Sequence, residues 1–178
     1  MELPPHAPPQ LIEVDGHLVL RPFDAAADLV EWLRVVEESL EHLRPWMPWA
    51  AAHTPASTAD HLARRAEMWA TGREFTYAVV ADGALVGSCG LYRHEDTPDG
   101  AYEIGYWLHP AATGRGVATR AARALVEEGF RLRGVDELLI VHDRENHASG
   151  AVAARLGFVP YGESDDLRTW QLTRTGRQ

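Results

Sequence analysis

The sequence predicts a single mixed α/β domain in which antiparallel hairpins are followed by strand–helix units. Three observations carry that expectation. Strand-like and helix-like periods alternate along residues 17–173, and no repeat, linker or low-complexity block divides them. Two strand-like runs, FTYAVVA (75–81) and ALVGSCGLYRH (84–94), are separated only by Asp82-Gly83, the strongest short-range hairpin signal. A chain of 178 residues also suits one sizeable core better than two small ones.

In chain order, the proline-rich residues 1–16 are expected to form a loosely held flexible arm, and 17–178 the single domain. HLVLRPF (17–23) reads as a first strand, with Asp24 as the cap of the helix after it. Leu29, Trp32, Leu33, Val36, Leu40 and Leu43 then fall on one apolar helical stripe. Pro45 should end that helix, and RPWMPWA (44–50) is expected to be an aromatic loop. Ser57 with Asp60 resembles a capping box with a shorter acid, opening a second helix through Leu62, Ala66 and Trp69 to Gly72. After the hairpin, the turn DTPDG (96–100) leads into the strand AYEIGYWL (101–108). A glycine-bearing turn and an alanine- and arginine-rich helix come next. ELLIVHD (137–143), a helix near 147–156, GFVPYG (157–162) and LRTWQLT (167–173) complete the chain.

Composition narrows the function. Seventeen basic residues against 26 acidic give a net charge of −9, which argues against a general nucleic-acid binder. All 17 basic residues are arginine, so lysine Schiff-base and Walker-lysine chemistry are excluded. Cys89 is the single cysteine, cannot form an internal disulfide and lies in an apolar strand pattern, as a buried structural thiol would. MELPPHAPPQ lacks the basic and apolar regions of a signal peptide, and no apolar run approaches the roughly 20 residues needed to span a bilayer. A cytoplasmic protein without membrane contact is expected. Nine histidines are scattered without metal-ligand spacing, so no metal is expected, and His142 reads as a satisfied core or cleft histidine rather than a base.

The stretch GYWLHPAATGRGVATRAARAL (105–125) carries the main functional signal. Helix starts leave amides without intrahelical partners and carry partial positive charge, and glycines let an anion approach them closely. Thr113, Gly114, Arg115, Gly116, Val117, Ala118 and Thr119 supply that combination, with Arg115 and Arg120 as charge partners; the same residues would also make a plain strand-to-helix turn. A P-loop needs the absent lysine. A dinucleotide fingerprint needs a third glycine where Ala118 and Thr119 stand, and the antiparallel hairpins do not suit its doubly wound sheet, even with Asp143 offered as the ribose acid.

The sequence resembles the GNAT superfamily of acetyltransferases. That family's pyrophosphate loop, Gln/Arg-x-x-Gly-x-Gly/Ala, matches at Gly116 and Ala118, while Thr113 stands where Gln or Arg is usual. YEIGYWLHP, GRGVATRA, NHASGAVAARLGF and the early EHLRPWMPW resemble the RimJ/RimL-type branch, which acetylates the N-termini of ribosomal proteins. The resemblance covers residues 17 to about 173. It implies a mixed, mostly antiparallel sheet of about six to seven strands with helices on both faces. It also implies acetyl-CoA as cosubstrate and an amine as acceptor, either a protein N-terminal α-amine or a small-molecule amine. The alternative is a non-catalytic acyl-CoA-binding sensor or scaffold.

In that family the amine attacks the acetyl thioester directly. Deprotonating a lysine amine at pH 7 costs roughly 4.6 kcal/mol and a protein α-amine about 1.4, so an α-amine asks less of its base. Glu103 is the candidate base; strand alternation puts it on one face with Gly105 and Trp107. Beside a tryptophan its pKa would be raised, as a general base needs. The resemblance assigns the oxyanion to a backbone amide near Trp107 or Leu108. The family's acid tyrosine, four residues before the Gly-Phe pair, would fall at Ala153 and is absent. The branch's Asn-x-x-Ser pattern instead implies Ser149 as the acid for the thiolate and Asn146 as a contact to the pantetheine arm; Asn146 is equally a good helix cap. Trp46, Met47 and Trp49 are expected to border the acceptor cleft, or to form a lid or a homodimer contact.

Overall fold

The computed structural model describes residues 7–176. One eight-stranded sheet runs in the order β1-β2-β3-β4-β5-β6-β8-β7. Its strands are β1 (Ile12–Asp15), β2 (Leu18–Arg21), β3 (Glu74–Ala81), β4 (Ala84–Tyr92), β5 (Ala101–Leu108), β6 (Glu137–Asp143), β7 (Val159–Glu163) and β8 (Leu167–Thr173). Every pairing is antiparallel except β5 with β6. The β3–β4 hairpin turns at Asp82 (φ 50°) and Gly83 (φ 79°), the two left-handed residues that a type I′ turn requires.

The helices are α1 (Leu29–Leu43), α2 (Pro48–Ala51), α3 (Pro55–Thr71), α4 (Val117–Arg131) and α5 (His147–Arg155). Alternation along the strands divides the core in two. Tyr77 and Val79 of β3, Leu91 of β4 and Ile104 of β5 join the main cluster with Leu125 and Val126 of α4. Ala78 of β3 turns the other way and packs with Leu85, with Trp32, Val35 and Val36 of α1, and with Leu62 of α3. The sheet is therefore covered on both faces. Trp69, near the end of α3, joins the main cluster through edge-on contacts with Phe75 and Tyr77.

Four local features differ from the sequence reading. The strand count is eight, because Ile12–Asp15 of the expected flexible arm pair with β2. Residues 1–6 of that arm lie outside the described residues, while the Tyr77 hydroxyl donates to the Pro9 carbonyl at 2.7 Å. Asp28, rather than Asp24, precedes α1 as its N-cap; it pairs with Arg21 through two bonds of 2.7 and 2.8 Å and accepts the Asp24 amide at 2.8 Å. Within the expected loop 44–50, Pro48 starts the short helix α2, a favourable first-turn position for proline. Finally, Thr54 caps α3 in a reciprocal capping box with Ser57, because Pro55 sets the first turn three residues earlier than expected.

Candidate active site

The site exists because two neighbouring strands part. The parallel β5–β6 ladder holds only from Ala101↔Glu137 to Glu103↔Leu139. Beyond it β5 stays paired to β4 as far as Leu108, and β6 to β8 as far as Asp143. The strands diverge past Glu103 and open a cleft of about 1740 Å³. Glu103, Trp107 and Leu108 line it from β5, His142 from β6, and Asn146 and Ser149 from the start of α5. The His109 amide bonds back to Val86 on the β4 side at 2.7 Å, so alternation directs the Leu108 amide away from β4, toward the gap.

Residues 113–119 form one rim of this cleft. Gly114 and Gly116 have φ of 71° and 72°, and Gly116 is the N-cap of α4. The helical ladder begins with the Arg120 amide donating to the Gly116 carbonyl at 3.0 Å, so the amides of Val117, Ala118 and Thr119 precede it. A Cβ built at either glycine would meet nothing within 4 Å, so the backbone here is open to an approaching group. Of the expected charge partners, Arg115 pairs with Asp82 at 3.0 Å and Arg120 with Asp15. Thr113 donates its hydroxyl to the Pro110 carbonyl at 2.8 Å, closing the 3-10 turn ahead of the loop. That local bond accounts for a short polar side chain at a position where a long one is usual.

Glu103 sits on the opposite face from α4, on the side of the cleft covered by α1 and α3. Its side chain is 24% exposed, and its Oε2 lies 3.8 Å from His94 Nε2. Burial pushes its carboxyl above the ordinary range; His94 counters this, and Asp96 adds to it. Trp107 follows on the same face and begins a run of rings, with Trp49 at 5.6 Å and Trp32 at 5.1 Å between centroids. Trp46, Met47 and Trp49 all line the cleft wall beside it.

Asn146 and Ser149 face the cleft from the other side. Asn146 caps α5, its Oδ1 accepting the Ser149 amide at 3.2 Å. Ser149 Oγ lies 2.9 Å from the Tyr106 hydroxyl, a partner that the sequence reading did not identify. Burial raises the Tyr106 phenol to about 12 despite the bond to Ser149, so it stays protonated at neutral pH. His142 is held on both ring nitrogens. Trp170 Nε1–H donates to its Nε2 at 2.9 Å, so Nδ1 carries the proton that faces the Asp143 carbonyl at 2.6 Å. Neither nitrogen is free to take a proton from a substrate.

Residues 17–159 match the family described as the acetyltransferase (GNAT) domain. The chain belongs to the GNAT acetyltransferase family. Among curated proteins, "Putative ribosomal N-acetyltransferase YdaF" of Bacillus subtilis (strain 168) is 33% identical over 85 residues, 48% of this chain and 46% of that protein. The matched region thus spans about half the length of that curated relative. Solved structures of the same fold include RimL, a ribosomal L7/L12 alpha-N-protein acetyltransferase in complex with coenzyme A. It has a TM-score of 0.83 and 20% identity, over 92% of this chain and 97% of that one. RimJ of Mycobacterium smegmatis, in complex with CoA-disulfide, has a TM-score of 0.76 and 25% identity over 90% and 83% of the two chains.

The GNAT cosubstrate fits the residues present. Open glycines at a left-handed loop and a helix start suit a diphosphate, and the cleft behind them has room for a pantetheine arm. Among the described residues no cluster of three metal-ligating side chains occurs, and no helix is long and apolar enough to cross a membrane. Cys89 is fully buried, and burial raises its thiol well above the usual range.

Proposed function

We propose that the protein is an acetyl-CoA-dependent N-acetyltransferase acting on a primary amine, with a protein N-terminal α-amine as the favoured acceptor and a small-molecule amine as the other. One observation carries the reading. The cleft past Glu103 is faced by a carboxylate of raised pKa on one side of β5 and by a hydroxyl pair, Ser149 with Tyr106, on the other. Two proton-handling groups with separated pKa values on either side of one opening are the arrangement that acyl transfer to an amine requires.

Bound acetyl-CoA would supply the acetyl thioester, whose C–S bond breaks as the amide C–N bond forms. The amides of Val117, Ala118 and Thr119 and the glycines 114 and 116 would hold its diphosphate, with Arg115 beside them. Asn146, whose Oδ1 is engaged as a cap, has its amide nitrogen left for the pantetheine arm. Glu103 takes the proton shed by the acceptor ammonium, directly or through one water. The Leu108 amide points into the gap, where a carbonyl oxygen gaining charge needs a donor; such a donor is worth about 2.7–4 kcal/mol. Ser149 gives its hydroxyl proton to the departing sulfur and is resupplied from Tyr106, whose phenol regains a proton from solvent before the next turnover. The phenol replaces, from a neighbouring strand, the tyrosine that Ala153 does not provide.

The test is release of free thiol from acetyl-CoA in the presence of an acceptor panel of N-terminal peptides and small amines. Turnover with any of them supports the proposal; a protein that binds CoA and turns over none is the non-catalytic binder instead. A cytoplasmic location and a homodimer belong to the same proposal, and fractionation and sizing chromatography check them.

A further inference from the structure

Arg65 is a half-buried cation on α3 that makes no close ion pair among the described residues; the Glu74 carboxylate acts on it only through space. Its Nε is buried without a hydrogen-bond partner. Its Nη1 makes only a long bond, 3.4 Å, to Ser88 Oγ. The guanidinium lies over the Phe23 ring at 4.0 Å and near Trp32 at 5.3 Å, ring contacts that supply no hydrogen-bond acceptor in its plane. Burial lowers its pKa to about 10, so it still carries its charge at neutral pH. Taking a cation out of water without an anion bonded to it is unfavourable, and the guanidinium fork matches a carboxylate.

Its location says what that carboxylate belongs to. Arg65, Ser88 and Tyr92 line the same cleft as Glu103. The register Ser88↔Trp107, Gly90↔Gly105 and Tyr92↔Glu103 puts Arg65's anchor and Glu103 at two ends of one face. Between them the Tyr92 ring sits against two glycines; a Cβ at Gly90 or Gly105 would meet that ring at 3.0 Å. Tyr92 lies four residue steps along the strand from Ser88, about 13 Å of backbone. An acceptor that reaches both ends must carry its amine and its carboxylate several ångströms apart.

We infer that Arg65 is a carboxylate-binding residue of the acceptor site, selecting peptide N-termini with an acidic side chain at their second position. The inference rests on the transferase reading for its amine and on Arg65 for its acid. The main-chain carboxylate of a free amino acid lies too close to its own amine to bridge the two ends.

Calorimetric titration of paired tetrapeptides tests it, the pairs differing only as aspartate against asparagine at the second residue. The acidic member should bind the wild-type protein about tenfold or more tightly than its amide twin. Arg65→Met, which keeps the packing on Phe23 and Trp32, should bind both alike, and Arg65→Lys should recover part of the preference. Equal affinities in the wild type, or a preference that survives in Arg65→Met, overturn the inference. The wild-type comparison decides even where a variant does not fold. Free glycine should bind no better than glycinamide, and a clear glycine preference overturns the side-chain assignment. An acidic preference without thiol release upholds Arg65 and sinks the transferase reading; thiol release without any acidic preference does the reverse.

Discussion

The Tyr106 hydroxyl and the Ser149 Oγ lie 2.9 Å apart, joining β5 to the first turn of α5 across the cleft. Because burial keeps the phenol protonated at neutral pH, the pair would act in the proposed reaction as a two-member proton store. Ser149→Ala is expected to lower kcat by about 100-fold, at the low end for a general acid. Tyr106→Phe should cost less, and the double variant should be no worse than Ser149→Ala alone, since both act on one proton. Thiol-release kinetics beside CoA titration check this, with CoA affinity unchanged; additive losses would separate the two residues.

For Glu103 the prediction is a pH profile. A carboxyl raised by burial loses its proton above the usual range near pH 4.3, so kcat/KM should rise with pH through a midpoint displaced upward. Glu103→Gln should abolish this acid limb and lower kcat by about 100-fold or more. His94 favours the ionised carboxylate, so His94→Ala should move the limb to still higher pH. A limb that persists in Glu103→Gln would place the base elsewhere.

The loop before α4 makes a prediction that needs no turnover. Gly116 has φ of 72°, so Gly116→Ala should cost about 1–2 kcal/mol of stability through backbone strain, there being no atom within 4 Å to clash. The added methyl should also weaken CoA binding, read by calorimetry. Thr113→Ala should cost roughly 1 kcal/mol for its lost bond to Pro110 and leave CoA affinity nearly unchanged. A large loss of affinity would mean that Thr113 contacts the ligand.

Away from the cleft, the Arg21–Asp28 pair should be visible in stability against pH. The hydrogen bonds from Arg21 hold the Asp28 carboxyl below its ordinary value. Its contribution is therefore present above about pH 3.9 and lost as pH falls through the lower folded value. Asp28→Asn should cost about 2 kcal/mol at pH 7 and remove that dependence, measured by urea unfolding from pH 7 to pH 2.5.

Much of the site was legible because short-range rules place it. Period-two alternation put Glu103, Gly105 and Trp107 on one face of β5, and the structure has them there, lining the cleft. Two glycines at the predicted helix start became an open, left-handed loop. Asn146 capped the helix expected of it. The β1 strand was missed although Asp15-Gly16, between IEV and LVLR, repeats the dipeptide signal of the recognised hairpin. Four residues beside a proline-rich segment are too short for alternation to stand out.

The amino-acid sequence by itself determined the order and type of most elements and the candidate residues on each, because helix stripes, strand alternation and turn chemistry act over a few residues. Tertiary structure alone decided where β5 parts from β6, and so where a cleft exists. It brought Tyr106 to Ser149 across 43 residues of chain and left Arg65 among rings with its Nε unbonded. Those relationships depend on which strands become neighbours and how far they stay paired, and local periodicity carries no information about either.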